Sequence, residues 1–183
     1  ADCHLLVASG GELAVALAAG FPANCISMHG NNKTPAEIDE AVSAGVSRMV
    51  IDSVEELHRI DSIAAAHGVV QKILIRVKPG VVADTHEYLQ VGAEDSKFGF
   101  GLSAGAALEA VGEALSCKNI ELVGLHAHIG SQIFALECYE KTALIMARFF
   151  AEIRTRFGVT LPEFDIGGGL RIAYLATDEP PSI

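Results

Sequence analysis

Short apolar runs alternate with longer amphipathic stretches along the whole chain, the pattern of β/α units built on a parallel sheet. The runs predict strands near 5–8, 25–28, 48–51, 72–77, 120–127 and 163–166. In runs such as Ile73-Leu74-Ile75 consecutive positions are apolar, so both faces of the strand must be covered, as in the interior of a parallel sheet. Helix starts carry the pattern S/T-x-x-E at Ser9/Glu12, Thr34/Glu37 and Ser53/Glu56. There a hydroxyl and a glutamate satisfy N–H groups that the first helical turn leaves unpaired. Pro35 falls at the first helical position, where its missing N–H costs nothing. A late helix over 137–157 sets Tyr139, Ala143, Met146, Phe150, Ile153 and Phe157 on one face, the spacing of a helix lying against a sheet.

Six strands with helices between them fit most of a (β/α)8 barrel, whose eight units take ~250 residues. A doubly wound sheet is the rival architecture, but its G-x-G-x-x-G after a first strand is absent. The expectation is therefore a single partial β/α barrel over 1–183. Composition narrows the picture further. The chain has 183 residues, 50% hydrophobic and 20% charged, enough to bury a core and too apolar for a disordered segment. Four scattered cysteines without a C-x-x-C pair exclude a disulfide scaffold and suit a reducing cytoplasm. The 13 basic and 23 acidic residues give a net charge of -10, which argues against nucleic-acid and anionic-membrane partners. Neither a membrane-length apolar run nor a basic segment leading into an apolar stretch is present, so a cytoplasmic protein is expected.

Barrel enzymes place their chemistry where strands end at the C-terminal rim. The segments that follow the predicted strands are Ser9-Gly10-Gly11, His29-Gly30-Asn31-Asn32-Lys33, Asp52-Ser53, Arg76-Val77-Lys78-Pro79-Gly80, His126 to Gln132, and Asp165-Ile166-Gly167-Gly168-Gly169. Gly167, Gly168 and Gly169 lack side chains, so their backbone N–H groups can approach an anion closely. With Gly130 and Ser131 on the neighbouring exit, two loops could supply amides and a hydroxyl to one phosphate. His126 and His128 are two apart and point to one side of an extended strand. They read either as half of a zinc site completed by His29 and an aspartate, as a ring set against an aromatic cofactor, or as hydrogen-bonded core histidines. Lys33 ends a strand as a Schiff-base lysine would, yet Thr34-Pro35 begins a helix directly after it, which favours a capping or rim-lining role. Between Val77 and a helix near 104 lies a long connection holding Thr85-His86-Glu87-Tyr88 and Ser96-Lys97-Phe98-Gly99, of the length that lids and substrate loops have.

Taken in order, Ser9-Gly10-Gly11-Glu12-Leu13, His29-Gly30-Asn31-Asn32-Lys33, Val50-Ile51-Asp52-Ser53, Thr85-His86-Glu87-Tyr88, Asp95-Ser96-Lys97-Phe98-Gly99, Gly124 to Gln132 and Asp165-Ile166-Gly167-Gly168-Gly169-Leu170 resemble the diaminopimelate decarboxylases. The resemblance spans nearly the whole chain. HGNNK and H-x-HIGSQ are specific to that branch, whereas the triple glycine is shared with ornithine- and arginine-type decarboxylases. It implies a fold-type III pyridoxal 5'-phosphate enzyme, with a barrel of the alanine racemase/ornithine decarboxylase type followed by a β domain, working as a homodimer. The implied reaction converts meso-2,6-diaminopimelate to L-lysine and CO2. By the same resemblance His128 is the catalytic residue and stacks on the pyridine ring, Ser131 and Gly167, Gly168 and Gly169 hold the phosphate, Arg76 lies near the ring face, and no metal is used. The rivals are a related ornithine- or arginine-type decarboxylase, a metal-dependent barrel hydrolase using His126 and His128, and a non-catalytic carrier of the cofactor.

The departures from the family pattern are specific. The family's Schiff-base lysine lies on a first strand in a Y-x-x-K-A motif, and nothing like it precedes Ser9. Glu179-Pro180-Pro181 is not the family's E-P-G-R, Leu6 stands where an aspartate is usual, and Arg171 replaces a further glycine. The resulting expectation is an internal piece with about six of eight strands and without the C-terminal β domain, unable to decarboxylate without that lysine.

Overall fold

The computed structural model describes residues 3–81 and 98–174. The chain forms two compact units, Ala1–Ile75 with Glu109–Gly124, and Arg76–Leu108 with Leu125–Ile183.

In the first unit β1 (Leu5–Val7), α1 (Gly10–Ala18), β2 (Ile26–Met28), α2 (Pro35–Ala44), β3 (Arg48–Ile51) and α3 (Val54–His67) follow one another. The first part of β4 (Gln71–Lys78), most of α4 (Ala106–Ser116) and the first part of β6 (Ile120–His126) complete it. The strand order is β1-β2-β3-β4-β6. β1 to β4 pair in parallel, with Leu5 opposite Ile26, Ser27 opposite Arg48 and Met49 opposite Ile73. Ile73, Leu74 and Ile75 are all at most 3% exposed, so β4 is covered on both faces as its unbroken apolar run requires. Ile38, Leu57 and Ile60 seal α2 and α3 into the same core with no exposure.

All three hydroxyl caps form, and they differ in where the glutamate goes. Thr34 and Glu37 make the reciprocal box. In the other two, Ser9 and Ser53 accept the N–H of Glu12 and Glu56, but those carboxylates take the N–H of Ala8 and Asp52, one residue before the cap. Glu37 also accepts the Gly10 N–H at 2.8 Å, tying the start of α1 to the start of α2. These bonds hold its carboxyl below the ordinary value of 4.5, the Gly10 N–H first and the Thr34 N–H second.

The second unit contains the ends of β4 and β6, the two-residue β5 (Phe100–Gly101), α5 (Glu137–Phe157) and β7 (Glu163–Asp165). β5 pairs in parallel with the end of β4, and β7 follows β6 in the sheet. α5 has the predicted boundaries but is rotated from the predicted stripe. Its buried positions are Cys138, Thr142, Met146, Phe149 and Ile153, while Tyr139, Ala143, Phe150 and Phe157 flank them half-buried. The aromatic residues drew the predicted face toward themselves, whereas the smaller Cys138 and Thr142 fit closest to the sheet; Thr142 is buried because its hydroxyl donates to the Cys138 carbonyl. Six of the strands coincide with the six expected. Parallel strands linked through helices make a partial α/β barrel, the architecture expected from the pattern.

Candidate functional site

The second unit gathers Arg76, His126, His128, Ser131, Asp165 and the Gly167-Gly168-Gly169 loop. β6 ends at His126 and β7 at Asp165, and the Ala127 N–H donates to the Asp165 carbonyl at 2.8 Å. Beyond the strand ends the loops continue to pair. The Ile133 N–H donates to the Gly169 carbonyl at 2.9 Å, and the Arg171 N–H to the Ile133 carbonyl at 3.1 Å, around a parallel bridge of Ile133 and Leu170. The two exits are therefore one backbone-linked rim.

That closeness is what requires glycine. Gly167 has φ 76° and Gly169 φ 109°, a region that side chains disfavour. A Cβ on Gly167 would collide with the Ala127 carbonyl oxygen, and one on Gly169 with that of Gly130. Gly168 is different, because no described atom lies within 4 Å of where its Cβ would be. The loop thus has two packed glycines flanking one that faces open space. Beside it Ser131 is exposed, and its hydroxyl has no hydrogen-bond partner among the described residues. Gln132 follows with φ 62°, a left-handed conformation of the kind that marks constrained loops and costs about 1–3 kcal/mol outside glycine.

Asp165 connects this loop to the strand end. One carboxylate oxygen accepts the Gly167 N–H at 2.8 Å, and the other lies 2.9 Å from His126 Nδ1. The His126 ring is 3% exposed, so of the three readings of the pair the interior histidine fits it, with an aspartate oxygen as its close neighbour. His128 is half-buried beside the glycine loop, its Nδ1 close to where a Cβ on Gly167 would be. Burial pushes its pKa below the ordinary 6.5, and the Arg76 guanidinium and then His126 push it further, while Asp165 opposes them. The imidazole is accordingly neutral near pH 7, with an apolar face to offer. Arg76 is 7% exposed, and its guanidinium lies 5.0 Å from the centroid of the Phe98 ring. Gly99, with φ 78°, lets the chain pass close over the Arg76 carbonyl.

Among the described residues no group of three or more His, Cys, Asp or Glu side chains is placed to hold a metal ion, so the zinc reading gains no geometric support. Lys33, in the first unit, is 3% exposed, with Nζ 2.5 Å from the Gly30 carbonyl oxygen, 2.7 Å from that of Val50 and 2.7 Å from Glu56 Oε1. Two hydrogen bonds and a buried ion pair hold it, which makes it neither an exposed rim residue nor a free nucleophile. Arg171 stands two residues past the glycine loop. Its guanidinium stacks on Phe134, 4.1 Å from the ring centroid. Leu6 is 53% exposed on β1, opposite Ser27. Thr85-His86-Glu87-Tyr88, Ser96-Lys97 and Glu179-Pro180-Pro181 lie outside the described residues.

Two contributors were not legible as such. Tyr139 read as part of a core stripe, yet its hydroxyl donates to the Gly168 carbonyl at 3.2 Å. Asp165 was noted only as rim chemistry; an aspartate two residues before a glycine is the signal of a side chain that accepts its own loop's N–H.

A diaminopimelate decarboxylase of Mycobacterium leprae is 48% identical over 181 residues, covering 97% of this chain and 38% of its own. One from Corynebacterium efficiens is 46% identical over 177 residues, covering 97% of this chain and 39% of its own. The chain thus spans about two-fifths of the length of these curated relatives. A crystal structure of a point mutant of Helicobacter pylori diaminopimelate decarboxylase, complexed with L-lysine, superimposes with a TM-score of 0.91 at 32% identity over 99% of this chain and 45% of its own. The family profile of the pyridoxal-dependent decarboxylases, pyridoxal binding domain, matches residues 3–183. By that match over nearly every residue, the chain belongs to the pyridoxal-dependent decarboxylases.

Proposed function

We propose that this chain forms the cofactor-holding part of a diaminopimelate decarboxylase, which converts meso-2,6-diaminopimelate to L-lysine and CO2 as a step of lysine biosynthesis. The observation that carries the reading is the backbone-linked rim, in which an unpartnered Ser131 hydroxyl stands beside a glycine loop with open space over Gly168. These residues fit a phosphate. Ser131 donates a hydroxyl hydrogen bond and the Gly167 to Gly169 segment presents backbone to the phosphate, while the packing that excludes a Cβ keeps the segment close. His128, its ring beside the glycine loop, would offer a neutral face to the pyridine. Buried Arg76 lies near that face and holds its cation beside Phe98, where it discourages protonation of His128. When bound, pyridoxal phosphate supplies the electron sink for the carbanion that loss of CO2 leaves. The residues here bind, orient and tune; the covalent anchor is a lysine other than Lys33.

The complete protein is proposed to be a cytoplasmic homodimer acting on a free amino acid, with no nucleic-acid or membrane partner. No helix among the described residues is long and apolar enough to cross a membrane. The test is product analysis with the full-length protein supplied in turn with meso-diaminopimelate, ornithine and arginine. Lysine from the first and negligible putrescine or agmatine from the others is the expected result. Preferential turnover of ornithine or arginine would replace this reading with the related decarboxylases.

A further inference from the structure

The glycine loop does not hold itself in place. Its tie to the protein on the strand side is one carboxylate, and that carboxylate has two jobs. Asp165 Oδ1 accepts the Gly167 N–H at 2.8 Å, and Asp165 Oδ2 lies 2.9 Å from His126 Nδ1. The His126 ring is 3% exposed at the end of β6, so it is a fixed point against which the carboxylate is braced. The Gly167 N–H is thus committed to Asp165, which leaves the following amides and Ser131 for an anion. We infer that Asp165 is a positioning residue, braced by His126, that sets the glycine loop in its phosphate-accepting shape.

This rests on the proposed cofactor role of the loop and adds to it a residue that touches no part of the phosphate. The chemistry is consistent with an indirect role. A carboxylate facing a bound phosphate would repel it, whereas one whose Oδ1 accepts the Gly167 N–H and whose Oδ2 lies 2.9 Å from His126 Nδ1 directs its charge at the protein. His128 shares the arrangement, since Asp165 favours its charged form and partly opposes the effects of burial and Arg76. The tie also explains why Gly167 can remain at φ 76° against the Ala127 carbonyl: the Asp165 hydrogen bond closes the turn that this φ creates.

The experiment uses the full-length protein and compares equilibrium binding of pyridoxal phosphate with that of pyridoxal, which lacks the phosphate, for wild type, Asp165→Asn and Asp165→Ala. Apo-protein melting is followed alongside. A loss of about 10- to 100-fold is expected for pyridoxal phosphate in Asp165→Ala, the size that removal of a residue orienting a metal ligand has on metal affinity. Pyridoxal binding should change by less than about threefold. Asp165→Asn, which keeps an oxygen for the Gly167 N–H, should lose less, and it carries the test if the alanine variant does not fold. An unchanged ratio of phosphate to non-phosphate affinity in a folded variant would overturn the inference. A wild-type protein that binds both forms equally would overturn the phosphate-site reading itself, and the positioning role with it.

Discussion

Replacing Lys33 by Met keeps the aliphatic stem and removes the charge from a nearly closed site. The side chains of Lys33 and Glu56 are 2% and 6% exposed, and Nζ lies 2.7 Å from Glu56 Oε1. Solvent screening is therefore slight, and truncating one partner strands the other. Breaking such a buried pair costs ~3–5 kcal/mol, most of it from the uncompensated charge. Two carbonyls, those of Gly30 and Val50, also lose a donor. Asp52 N–H still binds Glu56 Oε2 at 2.8 Å, so the carboxylate cannot turn to solvent without breaking that bond as well. The double variant Lys33→Met/Glu56→Gln removes both charges and keeps an acceptor for Asp52, so it should be less damaging than Lys33→Met alone, with a coupling of ~1–3 kcal/mol. The assay is hydrogen exchange of the full-length protein, read on peptides covering 29–33 and 50–57. At about 1.4 kcal/mol per tenfold, Lys33→Met should speed exchange there by roughly two to three and a half powers of ten. Unchanged exchange, or a double variant worse than the single, would refute the reasoning.

Other expectations follow from the same geometry. Gly169→Ala forces a Cβ into the Gly130 carbonyl at φ 109° and should abolish cooperative folding of the loop, whereas Gly168→Ala should leave the melting temperature within a few degrees while weakening pyridoxal phosphate binding; calorimetry with and without cofactor separates the two. The His128 imidazole should titrate below 6.5, and Arg76→Met should move it up only part of the way, because burial is the larger cause; resolved histidine NMR resonances report both. A histidine whose pKa is depressed on folding withholds a proton, so His128 removes stability as pH falls below 6.5. Glu37, a carboxylate with a lowered pKa, acts in the same direction over a lower pH range. Its contribution is complete above 4.5 and is lost as pH falls through its folded value, so acid should loosen the α1–α2 start in wild type and not in Glu37→Gln, as followed by exchange of the Gly10 amide.

The sequence displays most of the fold because buried parallel strands leave unbroken apolar runs and hydroxyl caps leave a fixed spacing. Ile73-Leu74-Ile75 and Thr34/Glu37 show how directly each can be read. β5 was missed because two residues, Phe100 and Gly101, carry no period. The rotation of α5 was missed because Cys138 and Thr142 do not look like core until their neighbours are known. The site divides along similar lines. Glycines packed against a carbonyl and a histidine at a strand end stand out as residue types. The contacts that give them meaning are tertiary: Tyr139 reaching the Gly168 carbonyl, Phe98 under the Arg76 guanidinium, and Phe134 under that of Arg171. Lys33 is the converse, a residue whose chemistry is tempting and whose burial among three acceptors removes it from contention.

The central proposal is that the linked rim of 127–133 and 166–171 holds the cofactor's phosphate. The direct measurement is the structure of the full-length protein with pyridoxal phosphate bound. The phosphate is expected within hydrogen-bond distance of Ser131 Oγ and of amides in the Gly167 to Gly169 loop, with the His128 ring against the pyridine. A phosphate seated on other residues, with Ser131 and Gly168 still facing solvent, would contradict it.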